Sequence, residues 1–157
     1  MKNKVSILLA VCLVGGVPAG EVYVVPNGAE GGNGTRRRPF ATLEQARDAI
    51  RAARRAGRVD EAWTVRLAAG DYLRAEPFVL LPEDSGRDGA PVVYLGEGAA
   101  TRVMGALRVE GWREKEDGVW EAPIPQLPDG TRAYFESLYV NGRRAVRARH
   151  PNTGFFT

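Results

Sequence analysis

The spacing of apolar and polar positions in this chain changes twice. Residues 5–17 form an apolar run behind Lys2 and Lys4. Residues 21–25, EVYVV, alternate weakly and are rich in β-formers, which predicts a first strand. Pro26-Asn27-Gly28 breaks it, and GGNG at 31–34 makes a loop tolerant of positive φ. From Thr42 the period becomes helical. Leu43, Ala46, Ala49, Ile50, Ala53 and Ala56 share one arc, and Arg47, Arg51, Arg54 and Arg58 share another. Thr42 and Gln45 have capping-box spacing: the hydroxyl accepts the Gln45 amide and the Gln45 side chain reaches back. Gly57 falls where a left-handed cap ends a helix.

After the helix the period returns to two. WTVRL at 63–67 alternates as a strand, and GDY at 70–72 is expected to turn. Short strands are predicted at 78–81, 91–95, 102–104, 107–109 and 118–122, each bounded by Gly, Pro, Asp or Ser. Segments 135–140 and 143–149 flank Asn141-Gly142, a strong signal for a type I′ hairpin because both turn positions need positive φ. One helix followed by strands without crossover helices excludes a doubly wound sheet. Sandwich, barrel and solenoid all fit the pattern, and no strict repeat chooses among them.

Composition sharpens this in three places. The run at 5–17 is too short to span a membrane, and Val17-Pro18-Ala19 suits cleavage after Ala19 or Gly20. An export signal at 1–20 is therefore expected, with a periplasmic or extracellular bacterial product and no stable membrane anchor. Cys12, the only cysteine, would leave with the signal, and Val11 before it is a poor context for lipid attachment. The mature chain then has no disulfide, and its net charge falls from +3 to +1 with the loss of Lys2 and Lys4. Charge gives no reason to expect nucleic acid. Arg36-Arg37-Arg38 has no interleaved aromatics.

The motifs YVVPNG, PFATLEQARDAI and GDY resemble the N-terminal cap of right-handed parallel β-helix proteins of the pectate-lyase-like superfamily. LPEDSGRDGAPVVYLGEGAATRVMGALRVEGW resembles the early coils of secreted bacterial glycosidases, and FESLYVNGRRAVRARHPN is similar to their inserted β-sandwich hairpin. The chain resembles glycoside hydrolase families 120 and 141 and their uncharacterised relatives. The resemblance implies a mainly β chain: the start of a right-handed parallel β-helix, one N-terminal capping α-helix, and the incomplete beginning of an inserted β-sandwich. It implies a cap and first coils at 21–106 and the start of the sandwich at 107–157. The implied function is an N-terminal, non-catalytic piece of a secreted glycosidase acting on plant-type polysaccharides or their oligosaccharides. A polysaccharide lyase of the same fold and a non-enzymatic carbohydrate-binding or adhesion protein are the alternatives. The chain would then be truncated, ending on the apolar tail Gly154-Phe155-Phe156-Thr157.

Glycosidases of this kind use paired carboxylates. No position here matches those of the related families, so no catalytic residue is expected in this chain. Glu83, Asp84, Asp88 and Asp71 sit in turn-like contexts and read as solvated turn residues. The arginine arc of the helix reads as a solvated face whose stems cover apolar surface, with an anion or acidic-sugar site as the competing reading. Trp63, Trp112 and Trp120 are possible sugar platforms. Trp112, beside Gly111 and near a turn, is the best of them, whereas a strand tryptophan is more often core. His150, the only histidine, leaves a hairpin before Pro151-Asn152. With no partner for a metal or a nucleophile, it is a substrate-contact candidate beside Trp112. No phosphate-loop, dinucleotide or zinc spacing occurs, so neither cofactor nor metal is implied.

Overall fold

The structure, a computed structural model, describes residues 20–29 and 31–147. The expected export signal lies outside these residues up to position 19, as do His150 and the end of the strand expected at 143–149. The chain divides into two compact units at Ala106 and Leu107.

The first unit runs β1 (Glu21–Val24), α1 (Leu43–Arg55), β2 (Trp63–Leu67), β3 (Gly70–Leu73), β4 (Val92–Gly96) and β5 (Thr101–Met104). Strands β1, β2 and β4 form a parallel sheet in that order, and β3 pairs with β5, also in parallel. Register is the organising feature. Val22 lies opposite Val65, which lies opposite Tyr94, and Val24 lies opposite Leu67. Alternation then sends Val22, Val24, Trp63, Val65 and Leu67 to one buried face. Burying each of these apolar side chains stabilises the fold by roughly 1.5–3 kcal/mol.

Helix α1 covers that face. Its buried residues are Leu43, Ala46, Ile50 and Ala53, the apolar arc read from the sequence, and they join one core with Phe40 and Tyr72. The capping box is formed. The Gln45 amide donates to Thr42 Oγ1 at 3.2 Å, and Gln45 Oε1 accepts from the Thr42 amide at 3.2 Å and the Ala41 amide at 2.8 Å. Gly57, at φ +98°, follows the C-cap residue Ala56. Trp63 is 1% exposed, and the Arg58 guanidinium stands 4.6 Å over its ring.

GDY is not a turn; it opens β3. Gly70 takes φ +137°, and a Cβ there would stand 2.5 Å from the Pro26 Cγ, so a close backbone approach requires glycine. Tyr72 is buried, and its hydroxyl donates to the carbonyls of Val24 at 3.0 Å and Ala68 at 3.1 Å. The strand expected at 78–81 does not form. Pro77 and Pro82 flank it, each lacking an amide donor, and a 3-10 turn at Pro82–Asp84 follows. Phe78 instead packs edge-on against Tyr94, with ring centroids 5.5 Å apart.

The second unit is thinner. It has β6 (Arg113–Glu114) antiparallel to β7 (Trp120–Glu121), and β8 (Tyr139–Val140) antiparallel to β9 (Arg143–Arg144). The segment at 107–109 forms no strand, and the strand expected at 118–122 shrinks to Trp120–Glu121. Asn141 at φ +50° and Gly142 at φ +75° give the expected hairpin turn. No residue from 107 to 147 is buried.

The expected β-helix is therefore corrected. The described strands fall into separate sheets of three, two, two and two strands, with one helix, and no solenoid is formed. A solenoid needs successive coils that continue each sheet, whereas here the long excursion between β3 and β4 is irregular and the last four strands pair only locally. Where the start of an inserted β-sandwich was expected, the described residues form two ribbons of two-residue strands and no pair of packed sheets.

Candidate carbohydrate-contact site

Trp112 sits just before β6, after Gly111 at φ +74°. It is 44% exposed, and its indole Nε1 donates to the Val109 carbonyl at 3.0 Å. Across the ribbon Glu114 pairs with Trp120, and Arg113 pairs with Glu121. Trp120 is 57% exposed. On the Arg113 side, Glu121 is engaged by Arg113 and by Lys115 Nζ at 2.8 Å. A cavity of about 480 Å³ lies there, lined by Gly111, Arg113, Glu121, Ala122 and Pro123. His150, the other substrate-contact candidate, lies outside the described residues, so the structure does not bring it to Trp112.

The first unit shows where its charged residues go. The arginine arc of α1 is not a solvated face. Arg51 binds Asp84 through Nε at 2.7 Å and Nη2 at 2.6 Å, and Arg54 Nη1 donates to the carbonyls of Glu83 at 2.8 Å and Ser85 at 3.0 Å. Arg47 Nη1 donates to the Val79 carbonyl at 2.8 Å. The row clamps residues 79–85 to the helix, replacing with side chains the strand pairing that segment lacks. Asp84, read from the sequence as a solvated turn residue, has a side chain only 6% exposed. Arg74 pairs with Glu44 at the start of the helix. Asp71 pairs with Arg102, directly opposite it in the β3–β5 register.

One cluster escaped the sequence reading. On the outward side of β1 and β2, the Tyr23 hydroxyl donates to Glu21 Oε2 at 2.6 Å, and Arg66 Nε donates to Glu21 Oε1 at 2.5 Å. The i, i+2 spacing of Glu21 and Tyr23 was visible in the sequence. Arg66 came into reach only through the parallel pairing that sets it opposite Tyr23.

These contacts decide the protonation of the carboxyls they touch. Tyr23 and then Arg66 hold Glu21 below the usual carboxylate range, Arg51 does the same for Asp84, Arg58 for Glu61, and the Thr131 hydroxyl and amide for Asp129. Burial pushes Glu44 up, but the Arg74 guanidinium and a backbone hydrogen bond outweigh it and the net shift is downward. A glycosidic general acid needs a carboxyl shifted upward. Burial instead raises a phenol, Tyr94, to about 12. Among the described residues no cluster of three or more metal-ligating side chains occurs, and no described helix is long and apolar enough to cross a membrane.

Against known proteins, the chain is similar to a solved protein described as "Glycoside hydrolase", with 35% identity over 86% of this chain and a TM-score of 0.74. The chain spans 23% of that protein's length. No protein-family model and no curated protein matches it. The resemblance to glycoside hydrolases therefore rests on both sequence and fold.

Proposed function

We propose that this chain belongs to an exported glycoside hydrolase acting on plant-type polysaccharides or their oligosaccharides. In this reading residues 20–147 contribute carbohydrate contact and support, not bond cleavage. The observation that carries it is the similarity to a glycoside hydrolase at 35% identity with a TM-score of 0.74. The carboxyls whose pKa moves are held by arginine or hydroxyl partners and move downward, so none of those five is set up as the proton-donating acid.

The test is a panel of xylan, arabinoxylan and pectin, incubated with this chain and with the longest natural polypeptide that contains it. Reducing ends released by the longer polypeptide and not by the chain are the expected result. Unsaturated uronide products would mean a lyase instead, and no release from any glycan would remove the enzymatic reading. Export is tested by the N-terminus of the secreted product, which should begin at Gly20 or Glu21. A product that keeps Met1 would refute it.

A further inference from the structure

We infer that the face of the β6–β7 ribbon carrying Trp112, Glu114 and Trp120 is a contact surface for a neutral, extended oligosaccharide. The class of ligand rests on the carbohydrate-active reading above; the location rests on geometry. Register places Glu114 and Trp120 on one face and Arg113 and Glu121 on the other. Alternation back from Arg113 brings Trp112 to the side of Glu114. Diagonal neighbours across such a ribbon stand about 7–8 Å apart, so two sugar rings of one chain can lie over the two indoles.

Exposure separates two of the three tryptophans from the core. Trp63 is 1% exposed, whereas Trp112 and Trp120 are 44% and 57% exposed. Among the described residues the only ring pair is Phe78 with Tyr94, so the two indoles are not spent on each other. Trp112 is held in place by its bond to the Val109 carbonyl, which lowers the ordering cost of binding. An indole offers a flat, electron-rich face to the C–H side of a sugar ring. Glu114 makes no hydrogen bond or ion pair with the described residues, so both its oxygens are open to sugar hydroxyls. Charge selects the class of sugar. Arg113, Lys115 and Glu121 engage one another on the opposite face, leaving a lone carboxylate on the aromatic side. That arrangement accepts hydroxyls and repels uronates.

The experiment uses the full chain with cellohexaose and xylohexaose as neutral probes and trigalacturonate as the acidic one. Binding is followed by calorimetry and tryptophan emission. A neutral hexaose should shift the emission of the exposed indoles and shield them from acrylamide, while the buried Trp63 serves as the internal control. Trp112→Ala and Trp120→Ala should each weaken neutral binding about tenfold. Trp120→Phe should retain most of it, and Glu114→Gln should admit trigalacturonate. Unchanged far-UV dichroism and Trp63 emission show that the variants keep their fold. The inference is overturned by absence of binding to either hexaose, by equal binding in the Trp112→Ala/Trp120→Ala double variant, or by a dimer that Trp120→Ala dissolves. Hexaose binding without hydrolysis by the longer polypeptide would sink the hydrolase reading and leave this surface standing. Hydrolysis without dependence on these tryptophans would do the reverse.

Discussion

Residues 20–106 and residues 107–147 start from similar material and end in different states. Both are rich in short β-forming runs punctuated by Gly and Pro. The first unit contains every buried hydrophobic residue described, from Val22 to Ala90, and the second contains none. The difference lies in what the strands are given to pack against. Strands β1, β2 and β4 pair in parallel over four or five residues, align their inward side chains, and receive a helix across them. The ribbons β6–β7 and β8–β9 are two residues long per strand and have no second layer among the described residues. A strand face buries apolar surface only against another layer, so Trp120, Tyr134, Tyr139 and Val146 stay in water. A core residue is legible from its period, but whether it is buried is a property of the layer opposite.

The strongest way to break this comparison is a large deletion in each unit. Trp63→Ala should cost about 3–5 kcal/mol in urea unfolding, because it empties a fully buried site. Val146→Ala, at a residue 92% exposed, should change stability by less than about 0.5 kcal/mol. Equal effects would mean that the two units do not differ as described.

The arginine clamp comes next. Asp84→Asn should cost about 1–3 kcal/mol, since it weakens a nearly buried, charge-assisted pair with Arg51. It also carries a pH signature. Asp84 is depressed in the folded state, mainly by Arg51, so its contribution is fully present above its usual value of 3.8 and is lost as pH falls below that. Wild-type urea midpoints measured from neutral pH to pH 2 should drop in that window, and the Asn variant should drop less. An identical acid profile in both would remove the clamp from the account.

Smaller effects sharpen the contrast. Thr42→Ala removes one half of the capping box and should cost about 1 kcal/mol, read as a lower melting temperature. Gly142→Ala puts a Cβ at φ +75° in the hairpin of the second unit. It should speed amide exchange at Tyr139–Val140 and leave the unfolding midpoint of the first unit within about 0.5 kcal/mol.

Local signals were readable where one short segment holds all the partners. The Thr42–Gln45 box, the apolar arc from Leu43 to Ala53, the strand at Trp63–Leu67 and the Asn141-Gly142 turn all formed as expected. The misreadings involve distant partners. GDY looked like a turn, and the approach of Pro26 and the pairing with β5 made it a strand. Residues 78–81 looked like a strand, but they pair with no strand, and Arg47 of α1 takes the Val79 carbonyl instead. The same distance hid the candidate site. Trp112 was chosen for its neighbouring glycine, whereas Glu114 and Trp120 are brought together only by the cross-strand register of the ribbon that follows it.

The sequence by itself determined the capped helix, its apolar arc, the first two strands of the core and the tight hairpin. Each follows from a period, a cap or a φ requirement satisfied within a few residues. Tertiary structure decided that three strands stack in parallel register, that the arginine row becomes a clamp, and that the later strands remain small separate ribbons. Those outcomes depend on which distant groups meet. Hydrophobic burial, ion pairing and sheet pairing act between surfaces, and no single segment carries both sides of one.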